Sequence, residues 1–148
     1  MNILFVCTGN TCRSPMAEAL FRDMVQKEGL EGIEAGSAGI AAWPGQKATR
    51  QAERIMAELG LSLADHRTRP VDENLLNQAD LILTMTEGHK SAILSEQPSV
   101  WNKIHTLKEF AGQEGRDIPD PFGKSDEEYR HAARQIRQAL QAALDKLK

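Results

Sequence analysis

Apolar and polar positions along this chain switch between a strand-like and a helical period, and the switches mark out its elements. Asn2-Ile3-Leu4-Phe5-Val6 is a continuous β-branched and aromatic run, the pattern of a strand buried on both faces. Helical spacing follows. Ala17, Leu20, Phe21, Met24 and Val25 fall on one face, Pro15 stands at the first position, where a missing N–H costs nothing, and Gly29 ends the helix. Residues 33–37 read as a weaker strand, followed by a loop with Gly36, Gly39, Pro44 and Gly45. A second helix carries Ala48, Ala52, Ile55, Met56 and Leu59 on one side and closes at Gly60. After a polar stretch holding His66, Arg67 and Arg69, Leu75 and Leu76 mark a short helix. Residues 80–84 form the clearest later strand, with a helix over 87–96 and a strand over Ile104 to Leu107. Residues 111–127, rich in Gly, Pro and Asp, read as a long surface loop, the kind that is usually functional. The last helix places Tyr129, Ala132, Ala133, Ile136, Leu140, Ala143, Leu144 and Leu147 on one face.

Strands alternating with helices predict an α/β fold, a three-layer arrangement of an open parallel sheet with helices on both sides. Ligands of such sheets bind at the carboxyl ends of strands near a topological switch point, which points to residues 7–14. Composition narrows the class. With 148 residues, 41% of them hydrophobic, the chain suits one domain over 1–148. Its net charge of −3, without a block of one sign, disfavours general nucleic-acid binding. The longest apolar run, Ile3 to Cys7, is far too short for a membrane span, and no leader pattern follows Met1. Two cysteines, Cys7 and Cys12, are too few for a disulfide scaffold and imply a reducing, cytoplasmic setting. His66, His89, His105 and His131 are scattered without ligand spacing, so no metal or other cofactor is expected. A small acidic monomer is the expectation.

The loop between the first strand and first helix reads Cys7-Thr8-Gly9-Asn10-Thr11-Cys12-Arg13-Ser14. A short loop here can turn successive N–H groups toward one point, an anion nest reinforced by the positive end of the following helix. Gly9 permits a tight turn, and the planar fork of Arg13 can grip two phosphate oxygens. That field favours the thiolate of Cys7, which Ser14 can meet with a hydrogen bond. The result is a nucleophile beneath a pocket shaped for a phosphoryl group. No Gly-x-x-x-x-Gly-Lys occurs, so nucleotide hydrolysis is not the reading.

With Pro15 included, this loop closely resembles the signature of the low-molecular-weight protein tyrosine phosphatases. Ser37-Ala38-Gly39, His66-Arg67, the strand beginning at Asp80 and Asp120-Pro121 follow in that family's order and spacing, so the resemblance spans essentially the whole chain. It implies a four-stranded parallel sheet with helices on both faces and catalysis without metal. Carried over by position, Cys7 is the nucleophile, Arg13 the phosphate clamp, Ser14 the thiolate stabiliser and Asp120 the general acid. Asp117, three residues earlier, is the alternative acid. Thr8, Gly9, Asn10, Thr11 and Cys12 line the phosphate loop, and Asn10, Ser37 and His66 hold its shape.

Two departures bear on substrate. Thr11 stands where tyrosine phosphatases of the family commonly carry Ile or Leu, and Phe122-Gly123 follows Asp-Pro where tyrosines are frequent. The threonine looks like the bacterial protein-arginine phosphatases: its hydroxyl could meet a phosphoguanidinium group that Ile would leave against hydrocarbon. The expected partners are therefore phosphorylated proteins, with phosphoarginine as the substrate group and phosphotyrosine as the alternative. Arsenate reduction on this fold needs a third cysteine, which is absent, and a non-catalytic phosphate-binding module would have no need of Cys7, Arg13 and Asp120 together. Trp43 is either a wall of the pocket mouth or a surface aromatic. Trp101 is expected to pack a helix end, and His89 and His105 to be ordinary solvent or boundary residues. Cys12, on the same loop as Cys7, suggests a reversible Cys7–Cys12 disulfide that would shield the nucleophile.

Overall fold

A stretch that is apolar on both sides must be covered on both sides, and the β1 strand, Asn2–Cys7, is the centre of such a sheet. The computed structural model describes residues 1–148. Strands β1, β2 (Glu34–Gly39), β3 (Leu81–Thr84) and β4 (Ile104–Thr106) pair in parallel in the order β2-β1-β3-β4. Period-two geometry sends Ile3, Phe5 and Cys7 to one face and Leu4 and Val6 to the other. The first face packs under helices α1 (Arg13–Lys27), α2 (Arg50–Glu58) and α6 (Asp126–Leu147). Phe5 and Phe21 meet edge to face there, 5.6 Å between ring centres. The second face packs on Leu76 of α3 (Glu73–Gln78) and Ile93 of α4 (Glu87–Glu96).

The chain leaves β1 to build β2 on one side, then returns to build β3 on the other. The carboxyl ends of β1 and β3 therefore flank the switch-point crevice. Side-chain caps start five helices: Thr49 for α2, Asp72 for α3, Thr86 for α4, Thr106 for α5 (Leu107–Phe110) and Ser125 for α6. Helix α1 alone lacks one, because Cys12 makes no capping bond. No helix is long and apolar enough to cross a membrane.

Several boundaries differ from the sequence reading. Helix α1 begins at Arg13, which puts Pro15 third in the helix, still among the turn whose N–H groups have no helical partner. The fourth strand stops at Thr106, whose side chain caps α5 in a reciprocal box with Glu109, so Leu107 opens a helix rather than ending a strand. The 111–127 segment is not a purely surface loop. Ile118 is fully buried in the main core, and Asp126 and Glu127 already belong to α6 behind the Ser125 cap. Trp101 does not pack a helix end: its ring is exposed, and only its backbone N–H closes the 3-10 turn, on Pro98 O.

Candidate active site

Residues 8–12 join β1 to α1, and their carbonyls turn outward. Ile40 N–H donates to Cys7 O, Ala41 N–H to Thr8 O, Thr49 N–H to Thr11 O and His66 Nε2–H to Asn10 O, at 2.8–3.0 Å. The N–H groups turn the other way. From Thr8 to Ser14 none of the seven donates to a protein acceptor, the arrangement of an anion nest continuous with an uncapped helix end. Gly39 of β2 lets the loop lie this close. A Cβ there would come within 2.5 Å of Thr8 O and 2.9 Å of Asn10 N, closer than backbone atoms tolerate.

Asn10 is the hub of the loop. Its φ of 59° is left-handed, a conformation asparagine accepts more readily than most residues. Its side chain is fully used: Nδ2 donates to Ser14 Oγ (2.8 Å) and Ser37 Oγ (2.9 Å), and Oδ1 accepts from Arg69 N–H (3.1 Å). Having accepted from Asn10, Ser14 Oγ directs its own proton at Cys7 Sγ, 2.9 Å away. Arg69 also donates from Nε to Ser37 O at 2.9 Å, a brace that the sequence did not mark.

Arg13 is buried and anchored by the 111–125 segment. It donates to Ile118 O at 2.8 Å, while Ile118 N–H donates to Met85 O beyond β3. Its other guanidinium nitrogen lies 3.6 Å from Asp120 Oδ2. Together these groups line a cavity of about 190 Å³ formed by Cys7, Thr8, Gly9, Thr11, Cys12, Arg13, Asp120 and Phe122. Asp120 keeps 53% of its side chain exposed. Asp117 points elsewhere, accepting from Glu87 N–H at the start of α4 (2.8 Å). Trp43 is 74% exposed and stands outside the cavity lining.

Two residues read from sequence as unremarkable touch the loop. Tyr129, the only tyrosine, accepts from Thr49 Oγ1 (3.3 Å) and lies 3.3 Å from Cys12 Sγ. Burial, reinforced by the Cys12 contact, pushes its hydroxyl up to about 12, so it stays a donor. Both thiols are free and buried. His89 is not a boundary residue: it is 5% exposed, and its Nε2 lies 2.8 Å from Thr8 Oγ1. The only hint in the sequence was its place in the first turn of the helix after the third strand, beside the end of the first.

Burial, with the Arg13 charge adding to it, lowers the His89 pKa to about 4. The unfolded imidazole titrates near 6.5, so between these values the unfolded chain binds more protons, and stability falls as pH drops through the window. Wild-type protein is expected to lose about 2 kcal/mol more than His89→Leu between pH 7 and 4.5, measured by urea unfolding. Equal losses would show that His89 is not held neutral.

A free thiol beside a row of unpartnered N–H groups, with an anchored arginine and a carboxylate lining the same cavity, defines a cysteine-based phosphatase. The comparisons agree. The family model for low molecular weight phosphotyrosine protein phosphatases matches residues 2–148, and the chain belongs to that family. It is 42% identical over 148 residues to the protein-arginine-phosphatase of Bacillus subtilis (strain 168), covering 100% of this chain and 97% of that one. Among solved structures, it matches a cysteine-to-serine mutant of the YwlE arginine phosphatase with a phosphorylated active-site serine. There the TM-score is 0.94 at 42% identity, over 99% of this chain and 95% of the other. The YwlE arginine phosphatase from Geobacillus stearothermophilus matches with TM-score 0.90 and 41% identity, over 99% and 92%.

Proposed function

We propose that this chain removes phosphoryl groups from arginine side chains of proteins. The observation that carries the reading is Thr11, a polar residue lining the same cavity as Asp120, so that a phosphoguanidinium group held there would find both a hydroxyl and a carboxylate for its N–H groups. The names of the Bacillus and Geobacillus relatives support it. The phosphorylated serine in the related mutant supports Cys7 as nucleophile.

Chemistry runs in two steps. Cys7 Sγ attacks phosphorus in line, the P–N bond breaks with its electron pair passing to the guanidino nitrogen, and Asp120 gives that nitrogen a proton. Charge on the equatorial oxygens meets the N–H groups of residues 8–14 and Arg13, while Ser14 stabilises the sulfur as attacking and as leaving group. Asp120 then takes a proton from water as the water oxygen bonds phosphorus. The S–P pair returns to Cys7. Asn10, Ser37 and His66 act by holding the loop.

In this reading residues 1–148 act as a single-domain monomer on phosphorylated proteins in a bacterial cytoplasm. The bacterial sources of the relatives and the two free cysteines support that setting.

The test compares kcat/KM for phosphoarginine and phosphotyrosine in wild type and Thr11→Ile. Wild type is expected to prefer phosphoarginine. The substitution, which leaves guanidinium N–H groups against hydrocarbon, is expected to shift the ratio at least about tenfold toward phosphotyrosine. A wild type that already prefers phosphotyrosine overturns the reading.

A further inference from the structure

His89 approaches the phosphate loop from α4, a part of the chain that the mechanism above does not use. Its ring is buried at the carboxyl end of the sheet, and only one ring nitrogen has a partner: Nε2 faces Thr8 Oγ1 at 2.8 Å, while Nδ1 is buried without a hydrogen-bond partner. A neutral imidazole carries one N–H. Placed on Nδ1, that proton would be a stranded buried donor. Placed on Nε2, it is donated to Thr8, leaving Nδ1 as a bare acceptor, the more tolerable orphan. Thr8 Oγ1, having accepted, keeps its own O–H proton to give elsewhere. Thr8 lines the cavity beside Cys7, and its backbone N–H is one of those without a protein acceptor.

We propose that His89 is a positioning residue that locks the Thr8 hydroxyl as a hydrogen-bond donor to the bound phosphoryl group, adding a side-chain donor to the backbone nest. The inference rests on the phosphatase reading for its ligand, and it assigns Thr8 direct contact with a phosphoryl oxygen. Imidazole fixes which way the hydroxyl proton points, so the donor is preorganised rather than recruited on binding.

The test uses inorganic phosphate as the probe, bound to full-length protein and followed by calorimetry. Thr8→Val removes the hydroxyl at constant shape and is expected to weaken phosphate binding about tenfold. His89→Leu is expected to do the same, whereas His89→Gln, which can place an amide N–H near the Nε2 position, retains affinity within about threefold. In the Thr8→Val background, His89→Leu is expected to add nothing, because its effect passes through the absent hydroxyl. Equal affinities for His89→Leu and His89→Gln, or a full second loss in the double variant, overturn the proposal. Long-range nitrogen-15 NMR of wild-type protein decides independently of any variant's folding: a proton on Nε2 supports the proposal and a proton on Nδ1 overturns it. Phosphate binding is read without turnover, so a wild type that binds phosphate but hydrolyses nothing sinks the phosphatase reading alone.

Discussion

Replacing Cys7 with serine is expected to lower turnover by at least about 10⁴-fold while phosphate affinity stays within a few-fold of wild type. The two effects separate because different atoms carry them. In the proposed mechanism phosphate is held by the N–H groups of residues 8–14 and by Arg13, whose anchor on Ile118 O does not involve sulfur. Nucleophilic attack needs an anion at residue 7. A serine hydroxyl there meets Ser14 Oγ, already fed by Asn10, and no base: His66 is committed to Asn10 O and His89 to Thr8. Steady-state kinetics with calorimetry of phosphate binding checks both halves. Residual turnover above about one per cent would remove Cys7 from the role of nucleophile.

Asp120→Asn is expected to slow phosphoenzyme formation from phosphoarginine about 10²–10³-fold, and from an aryl phosphate with an acidic leaving group less than tenfold. A guanidino nitrogen cannot depart without a proton, whereas an acidic phenol can. Asparagine keeps the Oδ1 that accepts Phe122 N–H at 3.1 Å, so the loop holds its shape and the loss reports on proton transfer. Asp117→Asn is the control. That carboxylate accepts from Glu87 N–H at the head of α4; asparagine keeps the acceptor and loses only the charge, so the variant is expected to lose about 0.5 kcal/mol of stability without leaving-group dependence. Rapid-quench measurement of the first step with both substrates decides. Equal losses for the two would count against Asp120 as the acid.

The loop from Cys7 to Ser14 was legible because its function is local: strand, turn and helix start are contiguous, and nested N–H groups need no distant partner beyond Gly39. The first strand and the last helix were legible for a similar reason, since their periodicity continues long enough to identify a face. Ile118 was not. A single apolar residue in a stretch of Gly, Pro and Asp carries no period, and only its burial and its carbonyl's bond to Arg13 reveal that the loop is pinned. The same segment held two aspartates three apart, which sequence spacing alone could not separate. Asp117 accepting from Glu87 N–H, beside the Thr86 cap of α4, and Asp120 lying 3.6 Å from Arg13 separate them by direction.

Residue chemistry along the first 15 positions, together with the alternation of strand and helix periods, determined a doubly covered parallel sheet with an anion-binding thiol loop at the end of its central strand. Those properties follow from local backbone geometry and from which side chains must leave water. Tertiary structure alone decided what surrounds the loop: Arg69 on Asn10, His89 on Thr8, Tyr129 on Cys12 and Ile118 on Arg13, partners 59, 81, 117 and 105 positions away. A hydrogen bond demands its partner within about 3 Å, yet nothing in a chain's order encodes which distant element will arrive there. That was settled by the parallel crossovers, which gather α1, α4 and the 111–125 segment at one end of the sheet.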